Sequence, residues 1–207
     1  MPHVTMKTLY AKLAPEFGME PRRVEYYGRF LREASLLDVG RPGRGGSTPE
    51  ATAYSAAALV VAILGSESAV GAGDAVKALG SLRGSEITLQ PPNTDERISL
   101  APKGTFLDTV AHILDKMGDE QDGNPWRKFV REIGAVSTAV SAYALIKVGT
   151  SPKTMFQHIY QPTGVDGHLA ANAGLARETR IGAETLHRIA DLLSGKEKPP
   201  EDNRTTT

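Results

Sequence analysis

No cysteine occurs anywhere in the chain. Disulfides, thiolate metal sites and cysteine nucleophiles are therefore excluded, and the composition suits a reducing compartment. Net charge is lacking too: 24 Lys and Arg balance 24 Asp and Glu over 207 residues. Long apolar runs are missing. The longest, around Ala56–Leu64, falls far short of the roughly 20 residues a membrane helix needs. The first residues carry no basic segment followed by an apolar stretch, so no secretion signal and no membrane contact are expected, and a cytoplasmic location is. Aromatic residues amount to 6%. The single tryptophan, Trp126, stands beside Arg127 and Lys128 and is read as a core anchor before a base-stacking residue. At 40% the apolar content is adequate for a packed core.

The charge that is present is unevenly spread. Residues 1–47 hold eight Lys and Arg against five acids, whereas residues 48–125 hold five against eleven. A head of +3 therefore precedes a middle of −6, and any attraction to phosphate is local to the head.

Within that head, a helix beginning near Glu20 places Val24, Tyr27 and Leu31 on one side. Arg22, Tyr26, Arg29 and Glu33 fall on the other by the 3.6-residue period. Pro21 suits the first helical position, where its missing N–H is not needed. Upstream, Thr5 can cap a helix whose stripe is Met6, Leu9, Tyr10 and Leu13, ended by Pro15 and Gly18. Downstream, Gly40-Arg41-Pro42-Gly43-Arg44-Gly45-Gly46 is a loop with two arginines and no acid. A polar helix face followed by a basic glycine loop suits reading a DNA groove and gripping the backbone beside it.

Two short helices, a glycine turn and a following loop resemble a helix-turn-helix with a wing. The run Arg23-Val24-Glu25-Tyr26-Tyr27, followed by Leu36-Leu37, is similar to the start of MerR-type DNA-binding domains. In that family the arginine and paired tyrosines lead almost at once into a Gly-Leu-Leu ending; here residues 28–35 intervene. The resemblance covers the first quarter of the chain. It implies double-stranded DNA as partner, with Arg22, Arg23, Tyr26 and Arg29 on groove and phosphate and Arg41 and Arg44 on the wing.

Further on, Thr48-Pro49-Glu50 predicts a helix start, running to Leu64. A second helix is expected over Glu67–Leu82, small-sided enough to form a close hairpin with the first or to pack on a second subunit. Ser85–Leu89 and Ile98–Leu100 read as a short strand pair. Thr105 predicts a cap for a helix carrying Phe106, Val110, Ile113, Leu114 and Met117 on one face. Alternation from Val136 to Val148 predicts a strand, and Thr154–Tyr160 its hairpin partner. Ala176–Ile181 predicts one more strand, followed by a closing helix with Leu186, Ile189, Ala190 and Leu193 inward. The tail, Lys196–Thr207, is polar and expected to be disordered.

Signatures of catalysis are missing. His3, His112, His158, His168 and His187 show no HExxH or paired i, i+4 placement. Gly40–Thr48 lacks the lysine of a phosphate-binding loop, and Asp119, Glu120 and Asp122 lack the spacing of a calcium loop. The expectation is an α+β protein, not an enzyme, with no cofactor or metal. Residues 1–47 would be a winged helix-turn-helix, 48–84 a helical hairpin for packing or oligomerisation, and 85–195 a small α+β domain of unassigned role. The expected function is sequence-specific DNA binding in transcriptional control by a homo-oligomer, with a dimer favoured. The rival within that class is a phage-type packaging component similar to a small terminase subunit. An enzyme or small-ligand binder would need convergent polar residues in 85–195, and the sequence displays none.

Overall fold

The computed structural model describes residues 4–38, 49–84, 87–90, 97–100, 104–119, 124–137, 142–149, 155–162 and 177–196. Helix α1, Met6–Glu16, is capped by Thr5, whose hydroxyl accepts from the Thr8 amide. Gly18, at φ 61°, supplies the left-handed turn into α2, Pro21–Glu33. Helix α2 ends at Glu33. Ser35 takes φ 58°, Leu36 N–H reaches back to the Leu31 carbonyl and Ser35 N–H to that of Arg32. That is a Schellman ending with serine where glycine is usual.

The chain returns at Pro49–Ala51 as an extended segment rather than a helix. Met6 N–H donates to the Pro49 carbonyl and Ala51 N–H to that of Val4. Helix α3, Ala53–Gly65, therefore begins four residues later than Thr48 suggested, capped by Thr52 in a reciprocal box with Ser55. Every residue from Ser55 to Leu64 is buried, so this alanine-rich helix is apolar all round because it is enclosed all round. Around it pack α2, α4 (Ala72–Gly80), α5 (Phe106–Gly118), α7 (Ala183–Leu193) and two strands of the larger sheet. A 3₁₀ turn at Ala69–Gly71 precedes α4, so the helix expected from Glu67 starts late. The small faces of α3 and α4 are used within the chain.

Strands β1, Ile87–Leu89, and β2, Ile98–Leu100, pair antiparallel as predicted. Thr105 caps α5 through the Asp108 amide. A short helix α6, Pro125–Phe129, buries Trp126 and leads into β3, Val130–Ser137. The alternation from 136 to 148 belongs to two strands. Strand β3 turns back into β4, Ala142–Val148, with Ile133 opposite Ile146 and Ala135 opposite Ala144. Strand β5, Phe156–Tyr160, then pairs with β4, and β6, Arg177–Gly182, with β3, giving the antiparallel order β5-β4-β3-β6. Ile133, Ile146, Val148, Tyr160 and Ile181 are buried beneath the helices.

One cluster of buried side chains runs from Met6 in α1 to Leu192 in α7. Glu16 of α1 and Arg188 of α7 meet at 2.8 Å at its surface. No helix among the described residues is long and apolar enough to cross a membrane.

Candidate nucleic-acid interface

Helix α2 divides cleanly by face. Val24, Tyr27, Gly28 and Leu31, spaced i, i+3, i+4, i+7, are buried. Arg22, Arg23, Glu25, Tyr26, Arg29 and Glu33 are exposed. The inner face is held from two directions. Toward α1, Gly28 lets Tyr10 approach, and Arg32 Nη1 donates to the Tyr10 hydroxyl at 2.7 Å. Burial pushes the Tyr10 phenol above its ordinary pKa, and the Arg32 charge only partly offsets this.

Toward α3, the Tyr27 hydroxyl donates to the Ser66 carbonyl at 2.8 Å and Arg23 Nη2 to the Glu67 carbonyl at 2.8 Å. These carbonyls lie just beyond the last residue of α3, where the helix dipole leaves partial negative charge. Thr179 of β6 donates to the Leu64 carbonyl in the same region. The end of the central helix is thus sealed by two side chains of α2 and one of the sheet.

The outward residues are organised among themselves. Arg22 Nε donates to the Tyr26 hydroxyl at 3.1 Å, and its guanidinium carbon stands 5.7 Å from that ring's centroid. Tyr26 is 41% exposed. One turn on, Arg29 Nε pairs with Glu33 Oε1 at 2.8 Å, and the Glu33 hydrogen bond raises the already high arginine pKa. Three arginines and two glutamates share this face, so its excess charge is +1. A phosphate arriving at Arg29 would exchange with the Glu33 carboxylate, whereas Arg22 is bonded to Tyr26 and, among the described residues, forms no ion pair.

Of the six residues expected at the interface, Arg22, Tyr26 and Arg29 share the solvent face of α2. Arg23 sits at its border and is engaged by the fold. Arg41 and Arg44 lie outside the described residues. The pairing of Glu33 with Arg29 was readable from their i, i+4 spacing. The tie from Arg23 to residue 67 has no local signal beyond its position one turn before the buried Tyr27.

Other chemistry is dispersed. His112 packs edge-on against Trp126 at 5.1 Å, His158 stacks on Tyr160 at 4.6 Å, and His187 Nε2 is 2.9 Å from the Arg127 carbonyl. Asp119 pairs with Lys116 at 3.1 Å, while Glu120 and Asp122 lie outside the described residues. Among the described residues no group of three or more His, Asp or Glu converges on a metal position. A cleft of about 530 Å³ between the start of α3 and the ends of α5 and α7 has Glu50, Thr52, Asp115, Asp119, Ser194 and Lys196 in its lining; the Thr52 hydroxyl accepts from the Ser55 amide as the cap of α3, and the Ser194 hydroxyl donates to the Asp191 carbonyl. In comparisons with protein-family models, curated proteins and solved structures, nothing matches this chain.

Proposed function

We propose that the chain is a sequence-specific DNA-binding protein acting in transcriptional control, in which α1, the Gly18 turn and α2 serve as a helix-turn-helix with α2 as the reading helix. The observation that carries this is the outward trio Arg22, Tyr26 and Arg29 on a helix whose opposite face is locked to α1 and α3. Arginine placed this way can meet guanine O6 and N7 bidentately, and the tyrosine hydroxyl can accompany it to a phosphate. In this reading Arg41 and Arg44, which stand among glycines in the sequence, contact phosphate in the manner of a wing. Arg23 contributes by holding the helix.

The test is selection of a site from random DNA with the full chain, followed by binding titrations over a salt series. Arg22→Ala and Arg29→Ala are expected to lose roughly ten- to a hundredfold on the selected site and little on unrelated DNA, the pattern of lost base contacts. Arg41→Ala/Arg44→Ala is expected to weaken both DNAs alike and to flatten the salt slope by about two units, at about 0.9 per phosphate contact. Parent-level binding by both helix variants would reject α2 as the reader.

A further inference from the structure

Arg22 and Arg29 both commit Nε to a neighbour on α2, but the neighbours differ in charge. Arg29 gives its Nε to the Glu33 carboxylate at 2.8 Å. Arg22 gives it to the Tyr26 hydroxyl at 3.1 Å, a neutral acceptor, and its guanidinium carbon stands over the same ring, 5.7 Å from the centroid. A guanidinium carries five N–H donors in one plane. With Nε given to Tyr26, four remain on Nη1 and Nη2, and one from each runs parallel along the outer edge. Among the described residues neither nitrogen has a partner.

That edge is a fork of two donors. In the major groove guanine alone presents two adjacent acceptors, O6 and N7. Adenine sets a donor beside its acceptor, cytosine offers a donor, and thymine one acceptor beside a methyl. Phosphate also accepts from such a fork, but it asks little of the arginine's aim, whereas a base edge needs donors held to within about half an ångström. Here the guanidinium is held twice by one side chain, at Nε by the hydroxyl and on its face by the ring. That side chain stands next to Tyr27, which is fully buried and bonded to the Ser66 carbonyl. Arg22 also lies in the first turn of α2, the end from which a reading helix reaches base edges.

We propose that Arg22 reads a guanine in the major groove through its Nη1–Nη2 edge, with Tyr26 as the positioning residue that aims it. The assignment rests on the DNA-binding reading of α2 given above. Because the Tyr26 oxygen accepts from Nε, its own O–H is left to donate to a backbone phosphate. A hydroxyl that donates is the stronger acceptor, so the phosphate contact tightens the hold on Arg22. Backbone, tyrosine, arginine and base then form one connected chain of hydrogen bonds.

The test uses the full chain and the site selected from random DNA, with each guanine replaced in turn by 7-deazaguanine. That analogue lacks the N7 acceptor and keeps its base pair. At one guanine the parent is expected to bind about tenfold more weakly, the cost of one hydrogen bond to a charged donor. Arg22→Ala is expected to bind the natural and substituted duplexes alike at that position, while Arg29→Ala keeps the penalty. Tyr26→Phe, which retains the ring and loses the hydroxyl, is expected to keep binding DNA with the penalty reduced to less than about threefold. Both side chains are exposed, so far-UV circular dichroism should match the parent throughout. A site with no sensitive guanine, or an Arg22→Ala variant that keeps every penalty, overturns the assignment and leaves DNA binding standing. An undiminished penalty in Tyr26→Phe overturns the positioning role. A selection that returns no site at all rejects the DNA reading, and this assignment with it.

Discussion

Replacing Gly28 by Ala probes how tightly α2 is seated on α1. A methyl built at that position falls 2.6 Å from Cε1 of Tyr10 and nearer still to Cζ and the hydroxyl. Ordinary contact is about 3.5–4 Å, so the ring must move by about an ångström. It has little room: Tyr10 is 5% exposed, and its hydroxyl accepts from Arg32 at 2.7 Å. Overpacking of this kind costs about 1–3 kcal/mol, and weakening the arginine hydrogen bond adds about 1 kcal/mol. Against this, alanine is favoured over glycine in a helix interior by about 1 kcal/mol. The net expectation is a loss of about 2 kcal/mol, and at this chain length a melting temperature lower by about 4–8 °C. Urea and thermal unfolding followed by circular dichroism measure it. The same substitution in a Tyr10→Leu background meets no ring and should be neutral, or stabilising by up to about 1 kcal/mol. A higher melting temperature for Gly28→Ala in the parent, or an equal loss in both backgrounds, would refute the steric account.

Ser35→Gly should stabilise the chain. A non-glycine residue at φ 58° carries about 1–2 kcal/mol of strain, and glycine's greater unfolded-state freedom returns about 0.5–1 kcal/mol. A net gain of about 0.5–1 kcal/mol is expected in urea titrations, and a destabilised variant would show that the Schellman geometry is not strained. Acidification should destabilise the fold. Burial lowers the pKa of His158, and of His187 despite its bond to the Arg127 carbonyl, below the ordinary 6.5. The unfolded chain then binds protons first, so stability is full above about pH 6.5 and declines as pH falls through and below that value. Melting temperatures from pH 7.5 to 5 should fall, and less steeply for His158→Leu; a flat profile would remove the buried-imidazole explanation.

What the sequence disclosed, and what it hid, follows from how local each cause is. Thr5 and Thr105 announce their helices because a cap is satisfied within three residues. The antiparallel pairing of β4 with β5 is legible because both segments alternate and the sequence between them, residues 149–153, contains a glycine and a proline. Thr48-Pro49-Glu50 has the composition of a helix start, but its neighbours are recruited into backbone pairing with Val4–Met6. The helix waits for Thr52, whose box partner is Ser55 rather than an acid. Residues 138–141 contain no glycine or proline, so one strand pattern spans what folds as two. Ser35 hides a helix stop for the same reason.

The candidate site divides along the same line. Arg22, Tyr26 and Arg29 were legible as one face because helical periodicity places them. Arg23 looked equivalent by composition, yet its partner is a carbonyl 44 residues away. That difference bears on what the helix can do. Recognition of base edges requires donors held to within about half an ångström, which a helix free to rock on its support cannot provide. Tyr27 and Arg23 anchor α2 to the end of α3, the most enclosed helix of the molecule, and Arg32 with Tyr10 anchors it to α1. The buried half of α2 thus supplies rigidity that the exposed half has no means to supply for itself. If α2 reads DNA as proposed, Arg23 would serve that reading by holding the helix, without touching the duplex.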